Sequence, residues 1–155
     1  MIAVLARDIM NRNVISVQED ATIEELAGVL TENHISGAPV INKEGKMVGI
    51  VSDADLIHKE TSPRTPGFFN ILGAIIYYSG VARYREDFKK LAATKTSEIM
   101  TSEVITVGGD VKIEEVAALM VDNDIKRIPV LENGAVVGII GIADIVKTLA
   151  RPGGR

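Results

Sequence analysis

Apolar residues along this chain fall into short runs and helical stripes, and the whole set occurs twice in the same order. Residues 14–17 form a run rich in β-branched side chains, which predicts a strand. Thr22-Ile23-Glu24-Glu25 follows. A hydroxyl residue with a glutamate three positions on predicts a capped helix start, here running through about Asn33. Ile23, Leu26, Ala27 and Leu30 then recur at helical spacing. Residues 38–41 and 47–51 predict two further strands around the turn Asn42-Lys43-Glu44-Gly45, and a last helix begins at Ser52. The second set runs in parallel. Residues 104–107 predict a strand, and Ile113, Val116, Ala117 and Met120 mark a helix. Residues 128–131 and 136–140 predict a strand pair, with a last helix from Gly141. Asn133-Gly134 between those strands is a tight-hairpin signal. Each set reads β-α-β-β-α.

The two sets are copies. Laying residues 8–57 over 98–146, with Glu44 unpaired, leaves twenty identical positions. Ile9/Ile99, Met10/Met100, Asp20/Asp110, Pro39/Pro129, Gly49/Gly138 and Asp55/Asp144 are among them. Two copies predict a pseudo-two-fold pair, since a solenoid needs at least three units. About 50 residues bury too little apolar surface to be stable alone. The third strands are almost wholly apolar, which suggests burial on both faces. The two copies are therefore expected to pack sheet against sheet with helices outside. The expected division is 1–60 and 97–150 for the copies, 61–96 for an insert and 151–155 for a flexible tail.

The insert differs in character. Residues 61–67 carry two prolines and a glycine and read as a loop. Residues 68–78 are apolar and aromatic, and 83–91 are charged and helix-prone, with Glu86 four before Lys90. Every Phe and Tyr of the chain lies between Phe68 and Phe88. This segment reads as a linker helix capping the core or as a contact surface, and a membrane-surface helix is a third reading.

Composition narrows the function. With no cysteine, thiolate chemistry and thiolate metal sites are out. A net charge of −4 supplies no general field for nucleic acid. No apolar run reaches the ~18 residues of a membrane span. The first ten residues lack a signal-peptide pattern, which fits a cytoplasmic protein. His34 and His58 do not lie at metal-ligand spacing; His34 reads as a helix-end residue and His58 as a surface one. Asp53-Ala54-Asp55 could hold magnesium, but the helix pattern accounts for it better. No nucleophile–base set and no phosphate-binding lysine loop is evident, so an enzyme is not expected.

Two motifs remain. Gly49-Ile50-Val51-Ser52-Asp53-Ala54-Asp55 carries a glycine, two apolar residues, a serine, two more residues and an aspartate from strand into helix. Ile35-Ser36-Gly37-Ala38-Pro39-Val40 leads apolar residues into a proline. Copy two answers with Gly138-Ile139-Ile140-Gly141-Ile142-Ala143-Asp144 and Ile125-Lys126-Arg127-Ile128-Pro129-Val130. With both motifs present twice at matched spacing, the chain resembles the cystathionine-β-synthase (CBS) domain family, as a tandem pair or Bateman module. The resemblance covers all but the termini and residues 61–96. It implies an α+β fold of two β-α-β-β-α motifs and a stand-alone regulatory protein. The implied ligand contains adenosine: AMP, ADP or ATP, with S-adenosylmethionine or NAD as further choices and no metal required.

The chemistry of the motif suits such a ligand. A glycine permits close approach to the backbone, and free N–H groups at a helix start attract phosphate. By resemblance, Asp55 and Asp144 hold the ribose, with Ser52 and Gly141 lying beside them. Ile50 and Pro39, and Ile139 and Pro129, are the apolar lining. Lys126 and Arg127 are expected phosphate partners of the Asp144 site, with Ser36 contributing. Each pocket is also expected to borrow the other copy's first strand: Val104 and Ile105 for Asp55, Val14 and Ile15 for Asp144. Capping remains an open alternative for Asp55, since Ser52 and Asp55 also have capping-box spacing. Gly141 cannot complete such a box, which argues for ligand binding at Asp144. It also departs from the family's Ser or Thr, which weakens that site or changes its ligand. The resemblance further implies a homodimer through the helices and a separate effector protein. The competing reading is an interaction module with vestigial pockets, whose contact is carried by 61–96.

Overall fold

The computed structural model describes residues 2–57 and 94–150. The aromatic segment, the charged helix expected over 83–91, His58 and the tail lie outside them. In chain order the described elements are α1 (Ala6–Ile9), β1 (Val17–Gln18), α2 (Ile23–Glu32), β2 (Gly37–Ile41), β3 (Met47–Ser52) and α3 (Asp53–Ile57). They continue with α4 (Thr96–Ile99), β4 (Val107–Gly108), α5 (Ile113–Asn123), β5 (Arg127–Glu132), β6 (Ala135–Gly141) and α6 (Ile142–Ala150). They divide into two units: Ile15–Ser102, and Met1–Val14 with Glu103–Arg155. Each unit has one three-stranded sheet, β1-β2-β3 or β4-β5-β6, whose first pair is parallel and second antiparallel. This is the mixed α+β class expected.

In the Ile15–Ser102 unit, α2 starts as its sequence dictates. The Thr22 hydroxyl accepts from the Glu25 N–H at 3.1 Å, and the Glu25 carboxylate accepts from the Thr22 N–H at 3.2 Å. Ile23, Leu26 and Leu30 face the core. The helix ends where His34 turns left-handed (φ 53°), its N–H donating to the Thr31 carbonyl and that of Ile35 to the Leu30 carbonyl. This is a Schellman ending, so His34 ends the helix through its backbone. Asp124 (φ 52°) does the same for α5. The β5–β6 hairpin turns on Asn133 and Gly134, both at positive φ, as a two-residue type I′ turn requires.

Strands β1 and β4 are much shorter than the expected 14–17 and 104–107. Val17 pairs with Val40, and the Glu19 N–H donates to the Ile41 carbonyl. Residues 39 and 41 therefore turn their polar groups toward β1. Position 39 is proline and has no N–H, so the ladder cannot continue upstream. Pro129 stands in the same register beside β4. The third strands also differ from expectation. In β3, Gly49 and Val51 are buried while Val48 and Ile50 are half-buried. One face is buried and the other is not closed, and on the buried face the glycine leaves room for another side chain.

That side chain comes from a distant part of the sequence. In the first unit the Thr96 N–H donates to the Ala21 carbonyl (2.8 Å), and Thr101 pairs both ways with Ile50 (2.9 Å). In the second unit the Ala6 N–H donates to the Val111 carbonyl (2.8 Å), and Asn11 pairs both ways with Ile139. The opening segment of each copy thus completes the other copy's sheet. Its methionine lies over the third-strand glycine: a Cβ at Gly49 would overlap the Met100 sulfur, and one at Gly138 the Met10 sulfur. The cores follow the same exchange. Ile99 packs with Val17, Leu26, Val40 and Val51, and Ala6 and Met10 pack with Val107, Val116, Val130 and Ile140.

Candidate functional site

Both strand-to-helix corners are built alike. At the end of β3 the Ser52 N–H donates to Asp55 Oδ2 at 2.8 Å, and the Asp53 N–H donates to the Ser36 carbonyl at 2.8 Å. At the end of β6 the Gly141 N–H donates to Asp144 Oδ2 at 2.8 Å, and the Ile142 N–H donates to the Lys126 carbonyl at 3.0 Å. Each aspartate is half-buried and held by one oxygen onto the last amide of its strand. Its Oδ1 makes no hydrogen bond among the described residues. A carboxylate fixed by one oxygen and open at the other is a positioned acceptor for a hydroxyl donor.

This corrects one step of the sequence argument. Gly141 was expected to deprive Asp144 of a capping role, yet Asp144 caps the Gly141 amide just as Asp55 caps that of Ser52. The carboxylate needs only a backbone N–H, which glycine supplies. At Ser52 the side chain adds a second, longer bond, from Oγ to Asp55 Oδ2 at 3.3 Å.

The sheet register gathers several of the remaining residues. Gly37 pairs with Ser52 and Pro39 with Ile50, so Ser36, Pro39, Ile50, Ser52 and Asp55 lie along one corner. Arg127 pairs with Gly141 and Pro129 with Ile139, which brings Lys126, Arg127, Pro129, Ile139, Gly141 and Asp144 together. Pro39 and Pro129 are fully buried, while Ile50 and Ile139 are half-buried. Lys126 is exposed. Val14 belongs to the Asp144 unit and Ile15 to the Asp55 unit; Val104 and Ile105 belong to the Asp144 unit. All four are half-buried and lie outside the strands. Asp53 is exposed, and among the described residues no three His, Asp or Glu side chains gather as a metal site. No described helix is long and apolar enough to cross a membrane. The carbonyls of Ser36 and Lys126, which anchor the helix starts, were missed from sequence; backbone acceptors leave no residue-type signal.

With this geometry in hand, the chain's kinship is plain. Residues 6–61 and 97–151 match the CBS domain, and the chain belongs to the CBS domain family as a pair of such domains. It is 33% identical over 153 residues to the uncharacterized protein MJ1426 of Methanocaldococcus jannaschii, covering 94% of this chain and 90% of that one. Three other relatives from that organism are longer, and the chain spans 24% to 42% of their length. Among solved structures it resembles the CBS domain of a CBS-domain-containing membrane protein from Sphaerobacter thermophilus. That match has 30% identity and a TM-score of 0.72, covering 94% of this chain and 87% of that one. It also resembles the CBS domain pair of protein MJ0100, solved in complex with 5′-methylthioadenosine and S-adenosyl-L-methionine. There the identity is 26% and the TM-score 0.69, covering 95% of this chain and 96% of that one.

Proposed function

We propose that this chain is a regulatory module that senses an adenosine-containing ligand, with Asp55 and Asp144 each gripping a ribose. One observation carries the reading: in both copies a half-buried carboxylate is locked by a 2.8 Å bond from its own strand end while its second oxygen bonds no described residue. Ile50 and Ile139, backed by the buried Pro39 and Pro129, flank these acids and supply apolar surface for a base. The two ligands bound by MJ0100 both carry a ribose on adenine, which supports the same ligand class here. Lys126 and Arg127 favour a phosphorylated ligand, AMP, ADP or ATP, at the Asp144 corner. Binding shifts packing, and a partner reads the shift. The partner is a second copy docked through the helices or a separate effector, and no chemical turnover takes place.

Calorimetry with AMP, ADP, ATP, S-adenosylmethionine and NAD tests this on the wild type, Asp55→Ala and Asp144→Ala. Saturable binding is expected, with at least one substitution weakening it about fivefold or more, the loss of one charge-assisted hydrogen bond. Silence with all five compounds would remove the reading. A second reading, an interaction module with vestigial pockets, is favoured by the outer face of α6. Ile142, Val146 and Leu149 follow one another there at helical spacing and are 45%, 54% and 80% exposed. Association that survives both aspartate substitutions and needs no nucleotide would favour it.

A further inference from the structure

The two corners differ at one position that bears directly on the carboxylate. A carboxylate oxygen has two lone pairs for hydrogen bonds. At Asp55 both lone pairs of Oδ2 are engaged, one by the Ser52 N–H at 2.8 Å and one by Ser52 Oγ at 3.3 Å. At Asp144 the Gly141 N–H occupies one, and no donor among the described residues occupies the other. The backbone does not demand glycine there. Gly141 is not among the residues with positive φ. A Cβ would lie 3.7 Å from Asp144 Oδ2 and 3.9 Å from the Lys126 carbonyl, ordinary contact distances. The missing side chain therefore leaves that acceptor position unused among the described residues, with room for a Cβ beside it.

We infer that Gly141, against the weakening expected from the sequence, makes Asp144 the stronger diol-binding corner, so that ligand fills it before the Asp55 corner. This rests on the ribose-binding reading above and adds an order to it. A cis-diol can place one hydroxyl on each oxygen of Asp144 without displacing anything. At Asp55 the second hydroxyl must share Oδ1 or displace the serine hydroxyl. At 3.3 Å that serine bond is long, so the difference is a few-fold and not orders of magnitude.

Neutral adenosine is the probe, because it removes the attraction of Lys126 and Arg127 for phosphate. The full chain is titrated and the amide resonances of Gly141 and Ser52 are followed by NMR. The Gly141 amide is expected to saturate at about threefold to fivefold lower adenosine, the worth of one modest hydrogen bond. Gly141→Ser should close that gap, and Ser52→Ala should close it from the other side. With 2′-deoxyadenosine, which has lost the diol, the gap should vanish in the wild type. Thermal melts of both variants confirm that they fold. Equal titration, the Ser52 amide moving first, or a gap untouched by Gly141→Ser would overturn the order while leaving ribose binding intact. Failure of both amides to respond to millimolar adenosine would end the order and the sensor reading together.

Discussion

Helices α2 and α5 hold the same place in their units but begin differently. Thr22 caps α2 through its hydroxyl, whereas Lys112 begins α5 with no side-chain bond, although Glu115 stands ready three positions on. Both starts are nonetheless held from outside, Thr22 by a backbone bridge to Lys95 and Lys112 by one to Leu5. The same contrast recurs at the other end of the motif, where Ser52 bonds its aspartate through a side chain and Gly141 does not. Shared between the units are two long-range pairings, methionine over glycine and exchanged segment on the sheet, and one local bond, aspartate on the strand-end amide. The hydroxyl bonds of Thr22 and Ser52 have no counterpart in the second unit, because the long-range contacts hold each element without them.

The core should give the largest effects. Ile128 occupies the position of Ala38, and both are fully buried. Ile128→Ala is expected to cost about 3 kcal/mol in denaturant melts, because the smaller Val116 replaces Leu26 in that core. Adding Val116→Leu should recover part of the loss; no recovery would mean the two cores are not interchangeable. The glycines come next. Gly49→Ala should cost about 2–3 kcal/mol and Gly138→Ala about 1–2 kcal/mol, both by overpacking. The difference has a physical source. At Gly138 the three atoms nearest the new Cβ all belong to the Met10 side chain, while at Gly49 they include the Thr101 carbonyl oxygen at 2.9 Å. Equal losses would show that the carbonyl moves freely.

The helix starts offer a smaller and signed test. Thr22→Ala should lose about 1 kcal/mol, and Lys112→Thr should gain about 0.5–1 kcal/mol by completing a box with Glu115. Thermal melts read both. A neutral Lys112→Thr would mean that the Leu5 bridge already fixes this helix end. The least effect is expected at Arg7, whose 3.9 Å pair with Glu132 is nearly half exposed. Arg7→Ala should change stability by under about 0.5 kcal/mol.

Much of this was legible in the sequence because it is local. The capping box at Thr22, the Asn133-Gly134 turn, the helical stripes and the repeat itself are written in neighbouring residues. The α+β class and the CBS motifs followed from them. The exchange of opening segments was not legible. The two sheets are near-copies, and nothing local in Ile9-Met10 or Ile99-Met100 says which of them it joins. The truncation of β1 could have been read from Pro39, had the register been known. At the candidate site the right residue types stood out, but the dual service of Asp144, cap and open acceptor, depends on a backbone amide that every residue except proline possesses.

The exchange also bears on how the chain is made. Residues 4–11 leave the ribosome well before Val111 and Ile139, the groups they bond, which are synthesised more than a hundred residues later. The Ile15–Ser102 unit contains all its own strands and can close while translation continues. Residues 4–11 must meanwhile wait unpaired, and their late docking carries the entropy of a very long loop. Nascent chains halted before residue 139 should accordingly protect the amides of 17–52 from exchange and leave those of 6–11 open.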